Sequence, residues 1–400
     1  MRPTRRGLAR VAGVCAGAAF LAALAAFPPA IAAPRGSQVP RWNAAQIDLG
    51  PAQIAGHDGR GVIVAVLDTW VDAAHPDFGG RVLRGATCLN DAPCHPGGTT
   101  RHDGCEAHGT HVSGIIASAS YGVAPLARIL PVRVLHGRSE ATCTASSVDV
   151  AHAVRWAAAH GARIINISLA PADRVPGQIT VLAAAIDAVS RRGDLVIAAA
   201  GNQHGTAGGS FGPDAVVVAA TGRNRRLAPY SERGAGVDFA APGGSAVHGR
   251  CTVSSCVVST WADNGYAALD GTSMAAAHVS GLAALLIAQD PARTRASVVD
   301  AMERTAHHLA GAGHGLIDAA AALAYGARTL SGAASGAAHH TSRGHSARSA
   351  TRSPAVQAAS VGQGSALAAA SWVAGALIAA QVLTLARLTR RRSGRPGLMR

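Results

Sequence analysis

The sequence predicts an α/β domain of three layers, αβα, in which a mainly parallel sheet is covered by helices on both faces. Three observations carry this. Short unbroken apolar runs recur through the middle of the chain, longer helical patterns separate them, and glycines stop those helices just before the next run. A strand buried on both faces reads as a continuous apolar segment, whereas one with a wet face alternates.

Taken in order, the first run is 61–67 (GVIVAVL), followed by 129–135, 164–169, 195–200 and 215–220. Helical patterns at 146–160 and 180–192 are stopped by Gly161 and Gly193. A helix of small residues begins at His108, and the segment 271–279 leads into an apolar helix at 281–288. In open parallel sheets the chemistry gathers where strands end and loops begin. That rule directs attention to Asp68, which closes the first run.

Composition agrees with a packed core: 48% of the 400 residues are apolar and only 14% charged, too apolar for a disordered chain. All 36 basic residues are arginine, and the stretch 33–327 holds 22 of them together with all 22 acids. The formal charge of +14 therefore belongs to the two ends, and the body has no electrostatic footprint for nucleic acid.

At the N-terminus, Arg2, Arg5, Arg6 and Arg10 precede an apolar stretch at about 11–27 and small residues at Ala30, Ala32 and Ala33. This is the layout of a secretory signal peptide, with cleavage expected after Ala32. The string Thr4-Arg5-Arg6-Gly7-Leu8 also suits the twin-arginine route, which stays open beside the ordinary one. Near the other end, 366–386 is 21 mostly apolar residues without charge, long enough to span a bilayer core. Arg387, Arg390, Arg391 and Arg392 follow, so the tail at 387–400 is expected in the cytoplasm and the body outside. Ser371, Gln381 and Thr384 are the residues that favour the competing reading, a buried or amphipathic helix. Residues 328–365, rich in Gly, Ala, Ser, His and Arg, read as a flexible linker.

Loss of Cys15 with the signal peptide leaves six cysteines, an even number that suggests three disulfides in an exported chain. Cys251 and Cys256 are close enough to close a small loop on each other. Cys88, Cys94, Cys105 and Cys143 then have three possible connectivities, and the sequence does not choose among them. His102, Cys105 and His108 have spacings a zinc site uses, but no fourth ligand is evident and no metal or other cofactor is expected.

Three residues form a chemical constellation. Acyl transfer by serine needs a base to take the hydroxyl proton and a carboxylate to hold that base in the right tautomer. Asp68, His108 and Ser273 supply those types, with Ser273 at a helix N-terminus whose free N–H groups favour a developing oxyanion. Their order along the chain, Asp, His, Ser, is that of subtilisin.

Seven ordered segments extend the likeness: VLDTWVDAAHPDF (66–78), AHGTHVSGIIAS (107–118), GVAPLARILPVRVL (122–135), RIINISLA (163–170), VIAAAGN (196–202), VDFAAPG (237–243) and DGTSMAAAHVSGLAAL (270–285). Over about residues 39–326 the chain resembles the subtilisin-like serine peptidases. The resemblance implies that fold, with Ser273 as nucleophile, His108 as general base and then acid, and Asp68 orienting the imidazole. It implies that Asn202 completes the oxyanion hole, and that Ser168, Leu169 and Ala170 lie on a strand that pairs with an extended polypeptide substrate, faced by a second strand near 138–141.

Some positions depart from the family pattern. Trp70 stands where the family usually has glycine, as does Ala170, and Ala277 replaces a proline. The segment 205–213 looks shorter than the usual wall of the primary specificity pocket, so no side-chain preference is assigned. Between Gly114 and Gly122 there is no room for the loop that completes a tight calcium site in many relatives, and no calcium is expected there.

The sequence thus predicts a signal peptide (1–32), a peptidase domain (33–327), a linker (328–365), a membrane helix (366–386) and a basic tail (387–400). The expected protein is a monomeric, membrane-tethered serine endopeptidase facing the cell exterior. Only six residues separate the expected cut from 39–42 (VPRW), which already resembles a mature start, so folding is expected without a cleavable prodomain. The layout is also similar to the mycosins, proteases that accompany type VII secretion. An inactive scaffold of a membrane complex is the non-enzymatic alternative, against which all four catalytic positions are filled.

Overall fold

The computed structural model of the protein describes residues 31–32, 41–99, 105, 107–137, 143–169, 176–207 and 211–328. The expected membrane helix and tail, all of the linker beyond Arg328, and the signal peptide up to residue 30 lie outside the described residues.

In chain order, β1 (Ile31–Ala32) precedes two short helices, α1 (Trp42–Gln46) and α2 (Leu49–Ile54), and then β2 (Ile63–Asp68). There follow β3 (Gly85–Thr87), β4 (His95–Gly97), α3 (His108–Ala117), β5 (Arg128–Arg133), α4 (Ser147–Ala159) and β6 (Ile164–Ile167). Next come α5 (Pro176–Ser190), β7 (Leu195–Ala199), β8 (Gly205–Thr206), β9 (Val216–Thr221), β10 (Glu232–Arg233) and β11 (Phe239–Pro242). The last elements are β12 (Val257–Thr260), β13 (Tyr266–Leu269), α6 (Thr272–Gln289), α7 (Arg295–Glu303), β14 (Gly315–Leu316) and a helix at 319–328.

Nine strands form one sheet in the order β14-β11-β9-β7-β6-β2-β5-β3-β4, parallel throughout except for the β3–β4 pair. Side chains alternate across it. Val64 and Val66 enter the core shared with α3 and α6, whereas Ala65 and Leu67 enter the core shared with α4 and α5. Burial on both faces is why these strands read as unbroken apolar runs. Because β2 has β6 on one side and β5 on the other, the strand order reverses there, and the crevice beyond its carboxyl end is the topological switch point.

All five apolar runs are strands, with ends displaced by one or two residues for local reasons. The run at 129–135 ends as a strand after Arg133: Val134 still gives the Asp68 carbonyl a ladder bond at 2.9 Å, but the Leu135 N–H turns back to that same carbonyl at 3.2 Å. Ser146 is the N-cap of α4, its hydroxyl accepting the Asp149 N–H at 3.0 Å. The helix expected from 180 starts earlier, at Pro176, since proline at the first helical position loses no hydrogen bond.

Among the described residues, the one helix long and apolar enough to cross a membrane is α6, and it is buried from Thr272 to Ile287 as the central helix of the core. Disulfides join Cys88 to Cys94, Cys105 to Cys143 and Cys251 to Cys256. Ile31 and Ala32, the last residues of the expected signal peptide, pair antiparallel with Ala268 and Ala267 at the edge of the small β12–β13 sheet.

Candidate active site

The carboxyl ends of three adjacent parallel strands, β7, β6 and β2, deliver Asn202, Ser168 and Asp68 to one edge of the sheet. Asp68 is fully buried, and a buried carboxylate needs partners. Its Oδ1 accepts the Thr69 backbone N–H at 2.6 Å, and its two oxygens meet His108 Nδ1 at 2.8 and 2.9 Å. An ionised carboxylate only accepts, so Nδ1 carries the proton and Nε2 of the neutral ring is left as the basic nitrogen.

His108 opens α3, and the close approach of α3 to the end of β2 depends on Gly109. A Cβ there would lie 2.9 Å from the carbonyl oxygens of both Thr69 and Trp70. The Gly109 N–H instead donates to Thr69 Oγ1 at 2.8 Å. His111, one turn further, faces the carbonyls of Val257 and Ala267 with Nε2 at 3.2 and 3.1 Å. Burial pushes it down to about 3, with nearby His108 adding to the effect. It therefore stays neutral near pH 7 and adds no buried cation to the site.

Ser273 is the second residue of α6 and almost fully buried. Its hydroxyl donates to the Ser168 carbonyl at 3.0 Å, and the Ser168 hydroxyl returns a bond to the Ser273 carbonyl at 3.2 Å. Asn166 Nδ2 donates to Ser168 Oγ at 2.7 Å, and Asn166 Oδ1 accepts from Ser280 Oγ at 2.9 Å. This chain of satisfied buried groups pins the end of β6 to the first half of α6.

Asn202 lies just beyond β7. Its Oδ1 accepts both the backbone N–H of Thr272, at 2.9 Å, and the Thr272 hydroxyl, at 2.8 Å. A backbone N–H can only donate, so the oxygen end of the carboxamide is fixed toward α6 and the NH₂ end points the other way.

Of the other residues singled out in the sequence, Leu169 has its side chain in the core beside α5, and what it offers a ligand is its main chain. Ala170 and 138–141 lie outside the described residues. Trp70 is buried against Ala107 and Ala262, and its indole N–H donates to the Cys105 carbonyl at 3.4 Å, so its bulk supports the approach to His108. Of the three residues with zinc-like spacing, Cys105 is in a disulfide, His108 is bonded to Asp68, and His102 is outside the described residues.

Among the described residues, two other groupings bring potential metal ligands together. In Cys251–Cys256–Asp270 both sulfurs are already bonded to each other. In Asp48–His307–Asp318, drawn from the N- and C-terminal segments rather than from the surroundings of Ser273, His307 Nε2 and Asp318 Oδ2 are 3.0 Å apart, and Asp318 Oδ1 accepts the Ala321 N–H of the last helix. Both bonds lie within the C-terminal segment.

Sequence reasoning missed two contributors. Thr272 holds Asn202, and Asn43 of α1 donates to His278 Nε2 at 2.9 Å, while His278 Nδ1–H donates to the Met274 carbonyl at 2.7 Å, beside Ser273. The partners are 70 and 235 residues apart, so no local spacing marks them.

The arrangement places a hydroxyl at a helix N-terminus, a carboxylate-held imidazole and an amide donor around one strand edge, the parts required for acyl transfer. Comparison with known proteins agrees. The family model described as the subtilase family matches residues 59–341. Subtilisin Savinase of Lederbergia lenta is 35% identical over 293 residues, covering 70% of this chain and 97% of the relative. A solved protease of Pseudoalteromonas arctica superposes with a TM-score of 0.61 at 29% identity, over 70% of this chain and 94% of the other. The MycP3 protease of the type VII (ESX-3) secretion system superposes with a TM-score of 0.57 at 30% identity, over 70% and 87%.

Proposed function

The chain belongs to the subtilase family and is a subtilisin-like serine peptidase acting on polypeptides, and on that footing we propose that Asp68, His108 and Ser273 form its catalytic triad and that Asn202 completes its oxyanion hole. The observation that carries this reading is the buried Asp68–His108 bond at the start of α3, a helix packed against α6, which carries Ser273 in its first turn.

The chemistry follows from the resting hydrogen bonds. An extended substrate laid along Ser168 and Leu169 brings its own amide donors to the Ser168 carbonyl, where the Ser273 hydroxyl now donates. Displaced from that acceptor, the hydroxyl turns to His108 Nε2, loses its proton as Oγ attacks the scissile carbonyl, and leaves an imidazolium that Asp68 stabilises. The oxygen of the tetrahedral intermediate takes hydrogen bonds from Asn202 Nδ2 and the Ser273 backbone N–H. His108 then protonates the departing amine, and water repeats the sequence to hydrolyse the acyl-enzyme.

We further propose that the enzyme is an endopeptidase exported by the segment 1–32 and held to the membrane by 366–386, with the domain at 33–327 outside the cell. The basic and apolar patterning of the ends supports this, as do three disulfides in the body. The likeness to MycP3 supports a second reading, that it processes proteins of a secretion system.

The test compares wild type with Ser273→Ala. A serine-directed organophosphate should label Ser273 in the wild type alone, and cleavage sites in the surrounding proteome should vanish in the variant. Retention of peptide hydrolysis near the wild-type rate by Ser273→Ala would refute the assigned mechanism.

A further inference from the structure

An oxyanion hole works only if its two donors converge on one point. Here one donor, the Ser273 N–H, is fixed in the first turn of a buried helix, but the other, Asn202, sits on a loop with little stiffness of its own. Gly201, His204 and Gly205 have φ of +121°, +52° and +137°, conformations that side chains other than glycine rarely hold unaided. Something outside the loop must set its position.

The surrounding bonds form a closed circuit. Thr272 binds Asn202 Oδ1, and Thr272 Oγ1 also accepts the Gly201 N–H at 3.2 Å. On the far side of the loop, the His204 N–H donates to the Tyr230 carbonyl at 3.0 Å, and His204 Nδ1 to the neighbouring Pro229 carbonyl. The Tyr230 hydroxyl reaches the carbonyls of Gly244 and Gly243 at 2.8 and 3.2 Å. Gly243 O in turn accepts the Gly271 N–H at 3.0 Å, one residue before Thr272. Tyr230 thus grips the Asn202 loop with its main chain and the approach to the nucleophile with its side chain. A Cβ on Gly243 would lie 2.7 Å from the Gly271 carbonyl oxygen and 3.1 Å from Tyr230 Oη, which shows how tightly these groups converge.

Resting on the oxyanion role of Asn202, we infer that Tyr230 is a positioning residue that sets the distance between the two oxyanion donors through its hydroxyl. Burial, with the Asp270 carboxylate nearby, pushes the phenol well above its usual range, so the donor persists at any working pH. The sensitivity is of the right kind, because a misplacement of about 1 Å in a catalytic group is enough to cost on the order of 100-fold.

Tyr230→Phe keeps the ring and removes the donor. We expect kcat to fall roughly tenfold with KM within about twofold, and the affinity for a peptide boronic acid, which mimics the tetrahedral intermediate, to fall by the same factor as kcat/KM. In an Asn202→Ala background the same change should cost nothing further, since with one donor gone there is no distance between the two left to set. Incorporation of 3-fluorotyrosine at position 230, which restores a donor, should return kcat to near wild type. An unchanged kcat in Tyr230→Phe, a full tenfold loss persisting in Asn202→Ala, or a Tyr230→Phe protein that does not fold would each overturn the inference. If Asn202→Ala itself leaves kcat intact, the oxyanion assignment fails instead, and the two failures are told apart.

Discussion

Thr272 gives Asn202 two hydrogen bonds, one from its N–H at 2.9 Å and one from its hydroxyl at 2.8 Å, and both land on Oδ1. The residue before Ser273 therefore decides which end of the carboxamide is held toward α6 and which points away from it. Asn202→Ala should lower kcat on the order of 100-fold or more with little change in KM, because the partner of the amide exists only in the tetrahedral state. Thr272→Val, which keeps the backbone bond and loses the hydroxyl, should show a smaller loss of the same kind, and Thr272→Ser should recover it. Steady-state kinetics on one peptide substrate decide the matter; a raised KM at constant kcat would reassign Asn202 to ground-state binding.

Asp68→Asn should cost roughly 10⁴-fold in kcat, since the amide offers His108 Nδ1 a donor where an acceptor is needed and favours the wrong tautomer. Combined with Ser273→Ala, the loss should not multiply if Asp68, His108 and Ser273 act as the proposed triad, since such a triad works as one unit. Additive losses in the double variant would argue that the residues work separately.

What could be read from the sequence, and what could not, follows from the range of the interactions. Asp68, His108 and Ser273 were legible because each stands where a run changes character, at the end of β2 or the start of α3 and α6. The five strands were legible because burial on both sheet faces writes itself as unbroken apolarity. Their ends were not, since the run at 129–135 stops pairing where the Leu135 N–H turns back to the Asp68 carbonyl that Val134 already bonds. The roles of Thr272, Tyr230 and Asn43 were equally hidden, as each depends on a partner brought close only by the finished fold. Pairing among Cys88, Cys94, Cys105 and Cys143 likewise needed the tertiary structure.

The stability of the enzyme should decline in mild acid. Burial lowers His278 to about 4 and His111 to about 3, against 6.5 when unfolded. Between these values the unfolded chain binds protons that the native state refuses. Stability is thus full above pH 6.5 and is lost as pH falls toward 4 and then 3, by ~1.4 kcal/mol per pH unit for each histidine. Asp194, Asp238 and Asp270, raised by burial, oppose this and moderate the slope. Urea unfolding of the Ser273→Ala protein from pH 7 to 4.5 should show the decline, and His278→Gln should flatten it. A level profile would contradict neutral burial of the two rings.

Among the disulfides, Cys105–Cys143 should matter most. It closes a separation of 38 residues, against 5 for Cys251–Cys256. On the chain-entropy account these contribute about 4 and about 2 kcal/mol. Replacing each pair by serine in the inactive background and comparing unfolding midpoints tests the order. Equal losses would show that the unfolded chain is not what the longer bridge restrains.

Protease shaving of intact cells should release the domain at 33–327 and spare the tail at 387–400. Recovery of the full mature chain from the culture medium, with 366–386 attached, would contradict the anchor.

The burial of α6 from Thr272 to Ile287 has a consequence for how the enzyme dies. A helix packed against β6, β7, β9 and β11 at the centre of the core has no route to solvent short of opening the whole domain. Its amide protons should accordingly be among the slowest to exchange with deuterated water, and Ser273 shares their lifetime. Heat can then displace Ser273 only by melting the domain, so that a stage in which that serine has drifted from its partners while the sheet survives does not precede unfolding.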